Sequence, residues 1–149
     1  MTKKIIVTTK VTLPLDTVIK KFDRTLFESL MPPLSLLELL QYDGTFEGGR
    51  YRLGARYLNF SLWEGEITKA DFLSPKEYVF IDEVNSNIAG VRNWKHTHRF
   101  VESVTKHTYI VDEVEFEAVN PMLEGVYEMM LRSYFLYRQF RYKKLLNKS

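Results

Sequence analysis

The chain has no cysteine among its 149 residues, which excludes disulfides, thiolate metal ligands and a cysteine nucleophile together. No run comes near the ~20 apolar residues that span a bilayer, so stable membrane insertion is not expected. Charge of one sign is not in excess: the net value is +2, and no broad basic surface offers itself to nucleic acid. Ser61 and Ser133 lack a G-x-S-x-G elbow, Gly48-Gly49 lacks phosphate-loop spacing, and no H-E-x-x-H motif occurs. No cofactor is expected. The opening MTKKIIVTTKV alternates like a strand rather than reading as a signal peptide, which makes the cytoplasm the expected location. Internal repeats, low-complexity tracts and linkers are absent as well.

What is present is a chain 45% hydrophobic and 27% charged, the balance of one soluble globular domain over residues 1–149. Ten Phe, nine Tyr and two Trp suffice to fill a core, or to line a cavity for a bulky ligand.

Ile5, Val7, Thr9, Val11 and Leu13 alternate with more polar neighbours, which predicts a first strand ended by Pro14. Asp16 is placed to cap a short helix from Thr17. Val18, Ile19 and Phe22, then Leu26, Phe27 and Leu30, predict two short helices closed by Met31-Pro32-Pro33. Strands follow over residues 36–42, after Gly48-Gly49, over 60–70 and over 77–84, and two more flank residue 105. Asn120-Pro121 is a helix start, an N-cap residue followed by proline at the first helical position. From there to about Asn147 only Gly125 interrupts a helical pattern. Strand, two short helices, about six strands and one long helix fit an α+β fold, an antiparallel sheet curled around the last helix with room for a gap between them.

Residues 92–103, RNWKHTHRFVES, carry the most chemistry. On a strand, Arg92, Trp94, His96, His98 and Phe100 share one face. The next strand offers Ile110, Asp112, Val114 and Phe116 on one parity. A face mixing aromatics, two imidazoles and a carboxylate reads as a pocket wall. His96, His98 and Asp112 are the candidate acid–base group, with a carboxylate orienting an imidazole. The competing reading is a buried network that satisfies its own hydrogen bonds, and Asp82 can join it. The three groups could in principle hold a metal, but without thiolates or a recognised motif none is expected. On the helix, Met122, Val126, Met130, Tyr134 and Tyr137 form a stripe expected to face the sheet. Tyr127 and Tyr134, seven apart, could present hydroxyls to a ligand. Arg50, Arg52 and Arg56 read as a solvated outer face, and the cations after Arg138 complement the helix dipole.

W-x-H-x-H-x-F (Trp94 to Phe100), D-x-V-x-F (Asp112 to Phe116) and F-x-Y-R (Phe135 to Arg138) resemble the START-related, Bet v 1-like superfamily (SRPBCC). Met31-Pro32-Pro33, Gly48-Gly49, Trp63 with Ile67, and Phe80-x-Asp82 match it in the same order. The similarity is closest to small bacterial ligand-binding and polyketide cyclase/dehydrase-like members. It implies a helix-grip fold, a seven-stranded curved antiparallel sheet around the C-terminal helix, with a hydrophobic cavity between. It further implies a structural ion pair at Arg138. The chain departs from the family at Asn87-Ile88-Ala89-Gly90, where relatives carry a Gly-Pro-Phe-like segment near the pocket mouth.

The expected function is binding of a hydrophobic small molecule such as a lipid, polyketide or aromatic compound. Trp63, Phe80, Asp82, Trp94, His96, His98, Phe100, Ile110, Asp112 and Val114 would contribute from the sheet. Val126, Tyr127, Met130 and Tyr134 would contribute from the helix. The alternatives are a cyclase or dehydratase using His96 or His98, and a protein-interaction module with a collapsed cavity. Oligomeric state is not legible in the sequence.

Overall fold

A computed structural model describes residues 2–31, 37–56, 61–84 and 90–148. In chain order the elements are β1 (Lys3–Val11), α1 (Leu15–Lys21), α2 (Arg24–Leu30), β2 (Leu37–Tyr42), β3 (Arg50–Ala55), β4 (Ser61–Ser74), β5 (Glu77–Val84), β6 (Val91–Glu102), β7 (Thr108–Ala118) and α3 (Glu124–Leu145). One 3₁₀ turn, Pro121–Leu123, leads into α3. The strands form one antiparallel sheet in the order β1-β7-β6-β5-β4-β3-β2. Every consecutive pair from β2 to β7 is adjacent, and β1 closes the far edge against β7. The expected α+β arrangement is therefore the one observed. Leu36, Phe60, Pro32, Pro33 and Asn87-Ile88-Ala89 lie outside the described residues.

Local sequence explains most boundaries. Asp23 caps α2, its carboxylate accepting from the Leu26 amide at 2.9 Å. Asn120 caps the 3₁₀ turn by accepting from the Met122 amide at 3.0 Å. Asp16, expected as a cap, sits instead in the first turn of α1, whose N-cap is Pro14. It favours the helix there through the dipole alone. β4 runs to Ser74, four residues past its expected end, because bulges near Ile67 and Phe72 let the strand bend and keep pairing with β5.

Two apolar clusters hold the layers together. One gathers Val11, Leu15, Val18, Phe22, Phe100, Ile110, Tyr142 and Leu146, so that α1, α2 and the end of α3 seal one end of the sheet. The other gathers Ile5, Val84, Val91, Trp94, Val114, Phe116 and Phe135. Burying side chains of this size contributes about 2 kcal/mol each before entropy is counted. The last turns of α3 are clamped by the first cluster, with Tyr142 and Leu146 fully buried. Its N-terminal half stands over the sheet between the clusters, where space remains. No helix among the described residues is long and apolar enough to cross a membrane.

Candidate functional site

A cavity of about 500 Å³ lies between α3 and the sheet. Its walls are largely aromatic and aliphatic, including Phe27, Leu39, Leu53, Trp63, Phe80, Trp94, Leu131 and Phe135. Asp82, His96, His98 and Tyr51 from the sheet, and Arg138 from α3, add a few polar groups.

Strand pairing brings the polar residues together. Asp82 on β5 stands directly across from His96 on β6, and His98 across from Asp112 on β7. The hydrogen bonds run along the diagonals instead. His98 Nε2 lies 2.8 Å from Asp82 Oδ2, and His96 Nε2 lies 2.8 Å from Asp112 Oδ1. The two imidazoles overlap at 3.6 Å between centroids, and Phe80 stacks on the outer side of His98 at 4.0 Å. All four polar side chains are buried.

Asp82 is the best-satisfied member. Its Oδ1 accepts from the Tyr51 hydroxyl at 2.8 Å and from Trp94 Nε1 at 3.1 Å. Tyr51 in turn accepts from Trp63 Nε1 at 3.1 Å. Burial alone would raise the Asp82 carboxyl, but the His98 hydrogen bond, the neighbouring imidazoles and Tyr51 together hold it down at about 2. Asp112 is also lowered: burial opposes ionisation, and the Arg138 guanidinium, Nη2 3.9 Å away, overcomes it with help from His96. Both carboxylates therefore accept only, so each histidine carries a proton on Nε2. Burial, and then the adjacent His96, push His98 down to about 4 against the pull of Asp82. At neutral pH His98 is a neutral imidazole whose Nδ1 has no hydrogen-bond partner.

Two glycines make the geometry possible. A Cβ on Gly65, paired across from Tyr51, would lie 2.3 Å from the tyrosine ring, so only glycine lets that ring lie over β4 toward Asp82. Gly90, at φ +80°, lies under the Tyr127 hydroxyl, which a Cβ would meet at 2.0 Å.

Of the residues expected from sequence, the cavity wall contains Trp63, Phe80, Asp82, Trp94, His96, His98, Tyr127, Met130 and Tyr134. Five others are placed elsewhere. Phe100 and Ile110 fill the sealed end, where Phe22 packs edge-on to Phe100 at 4.8 Å. Val114 is core on the β1 side, and Asp112 does not reach the wall, sitting behind His96. Val126 is 48% exposed on the opposite side of α3, with Met122 beside it at 90%. The helix is rotated from the expected stripe, because Tyr127, Leu131, Tyr134, Phe135 and Arg138 form the inward face. Arg92 leaves its strand face too: a bulge at Asn93, φ +55°, inserts one residue, and Val91 turns inward while Arg92 pairs with Glu117. Arg50 and Arg56 are exposed, as a solvated outer face requires.

Tyr51 escaped sequence reasoning. The arginines at 50 and 52 drew attention to one parity of β3, whereas Tyr51 and Leu53 on the other parity face the cavity. The Arg138 ion pair implied by the resemblance is present, and its guanidinium is enclosed by the rings of Tyr134, Phe135 and Tyr142. Ligand atoms of Asp82, His96 and His98 lie within 4.8 Å of one another, close enough to converge on an ion. His98 Nε2 and Asp82 Oδ2 already bond each other, and His96 Nε2 bonds Asp112; a metal taking any of these atoms at its usual ~2 Å bond lengths would have to break those bonds.

No family model matches the sequence, and no curated protein matches it significantly. Solved structures do share the fold. Norcoclaurine synthase from Thalictrum flavum, in complex with dopamine and hydroxybenzaldehyde, is 15% identical over 100% of this chain and 90% of its own, with a TM-score of 0.63. Zhui aromatase/cyclase from Streptomyces sp. R1128 is 13% identical over 95% and 91%, at 0.66. A Mycobacterium smegmatis protein is 18% identical over 96% and 90%, at 0.64. These likenesses show the fold: this chain has the helix-grip architecture that those structures share, a curved antiparallel sheet around a long C-terminal helix.

Proposed function

We propose that the protein binds a hydrophobic small molecule, aromatic or lipid-like, in the space between the sheet and α3. The observation that carries this reading is the cavity itself: about 500 Å³, mostly apolar, with a small convergent polar group. Asp82 is saturated by three donors, so it positions the wall rather than seizing a cationic ligand. Arg138 lines the space and keeps a buried Nε without a partner, which suits a ligand bearing one hydrogen-bond acceptor. Native mass spectrometry of protein purified from cells is the test. A retained apolar compound at one per chain, released by denaturation, is expected; a ligand-free protein that also takes up no apolar compound would remove the proposal.

A second reading, proton-transfer catalysis of the cyclase or dehydratase kind, is favoured by the two imidazoles on the cavity wall. His98, held at about 4, is a poor base at neutral pH, whereas efficient general bases sit near the working pH. That weighs toward binding. His96→Gln and His98→Gln separate the two: affinity largely kept supports binding alone, and turnover abolished with affinity kept supports catalysis. A collapsed cavity, the third expectation, is not what the fold displays.

A further inference from the structure

A net charge of +2 hides a separation of charge along the strand direction. Several chain segments meet at the end of the sheet sealed by α1 and the last turns of α3. The Glu102 amide donates to the Lys76 carbonyl at 2.8 Å, which sets the β6–β7 turn beside the β4–β5 turn. Glu102 Oε2 accepts from the Leu15 amide at 2.9 Å, and the Leu13 amide donates to the Leu146 carbonyl at 3.3 Å. The start of α1 and the end of α3 are thereby fastened to the same two turns. Unpaired cations gather here. Lys10, Lys76 and Lys148 stand beside these junctions, Lys20 and Lys21 lie on α1, and Lys143 and Lys144 end α3. All are exposed, and none makes an ion pair among the described residues. Apart from Lys69 and Lys95, every lysine without an ion pair lies at this end. Acids nearby are mostly engaged: Glu77 holds Arg99, Glu28 holds Arg24, and Glu102 serves Leu15 and Lys106. Asp16, Asp23 and Asp71 remain, far outnumbered by the lysines. Glu83, Glu115, Glu117, Glu124 and Glu128 lie toward the opposite end.

Apolar side chains project from the two turns within this basic field. Val104, in the β6–β7 turn, is 89% exposed, and Phe72 and Leu73, leading into the β4–β5 turn, are each 49% exposed. Each turn also carries its own exposed lysine, Lys106 and Lys76. We propose that this end docks the protein on an anionic bilayer surface. The lysines face the lipid phosphates and carboxylates, and Val104 and Leu73 reach between the headgroups. The apolar tips select a membrane over nucleic acid. A duplex rewards the cations alone and leaves Val104 and Leu73 in water. Docking is peripheral, since no helix among the described residues can cross a bilayer. None of these lysines or tip residues lines the cavity, so the proposal stands whether or not the cavity holds a guest.

The test is flotation of the full chain with phosphatidylcholine vesicles containing about one-third phosphatidylserine, at about 0.1 M salt. Partitioning onto these vesicles is expected, with little onto pure phosphatidylcholine and release at about 0.5 M salt. A cation near such a surface is worth about fivefold in binding, so Lys10→Glu combined with Lys76→Glu should weaken partitioning at least ~25-fold. Arg50→Glu combined with Arg56→Glu makes the same charge change at exposed positions of and just after β3, more than a screening length away. It should weaken partitioning less than about threefold. Val104→Ser should weaken it at least about threefold with no change in charge. All these positions are exposed, so circular dichroism and thermal midpoint should hold. No partitioning at low salt, equal binding to uncharged vesicles, or equal loss in the two double variants would each overturn the proposal. So would a short DNA duplex bound more tightly than the vesicles through the same lysines.

Discussion

Acid should destabilise the fold through His98 before Asp82 or Asp112 is protonated. In the folded protein this imidazole is held at about 4, whereas in an unfolded chain it titrates near ~6.5. Between these values the unfolded chain binds a proton that the native state refuses, so stability falls as pH drops through this window and levels off below about 4. The gap corresponds to about 3 kcal/mol, a large share of an ordinary domain's stability. Asp82 adds a second, lower step. Its folded value of about 2 lies below the ~3.9 of an aspartate in an unfolded chain, so its contribution is present above the latter and lost as pH falls toward the former. Urea unfolding followed by circular dichroism at pH of about 7, 5.5 and 4.5 reads the first step. With a urea slope of about 2 kcal/mol/M, the midpoint should fall by about 1 M or more over that range. His98→Gln removes the titrating group and should flatten the dependence even though it lowers stability overall. A midpoint unchanged from neutral to mildly acidic pH, or an identical slope in His98→Gln, would show that this imidazole is not held neutral by burial.

Other perturbations follow from the same network. Asp82→Asn replaces one of the two accepting oxygens by a donating NH2, so that either His98 or the Tyr51 and Trp94 pair loses its acceptor, and should cost about 3–5 kcal/mol in chemical denaturation. Tyr51→Phe removes one charge-assisted bond and the acceptor of Trp63, so a loss of about 1.5–3 kcal/mol is expected, with a shift in tryptophan emission. Gly65→Ala forces a Cβ into the Tyr51 ring and should lower stability by about 1–3 kcal/mol. If its thermal midpoint matched wild type, the close approach of Tyr51 to β4 would be wrong.

The fold was readable because several independent signals agreed. The alternation of β5 to β7, the Asn120-Pro121 start and the breaker-free run after it all set elements that the structure contains. The histidine face was readable because two imidazoles between Trp94 and Phe100 on one parity have few explanations other than a polar network in an apolar wall. Three features were not readable. A bulge at Asn93 reverses parity for Arg92, and bulges leave only weak marks in sequence. Rotation of α3 was not readable because the helix is apolar on two faces, so the single expected stripe Met122, Val126, Met130, Tyr134 and Tyr137 mixed outward residues with inward ones. Which part of a continuous inner face is packed and which is empty depends on where α1 and α2 land. That is why Phe100 and Ile110 are core while Trp94 and His98 line space.

The protein has two tryptophans, Trp63 and Trp94, in edge-to-face contact at 5.0 Å, and both line the cavity. Titration with 1-anilinonaphthalene-8-sulfonate, exciting tryptophan and reading transfer to the dye, therefore reports occupancy of that space. Saturable one-to-one transfer is predicted, with the directly excited dye signal largely lost in Leu131→Trp, whose larger side chain fills the cavity from α3. Absence of transfer in the wild type, or undiminished dye binding in the filled variant, would mean that the space between helix and sheet is not where this protein holds a guest.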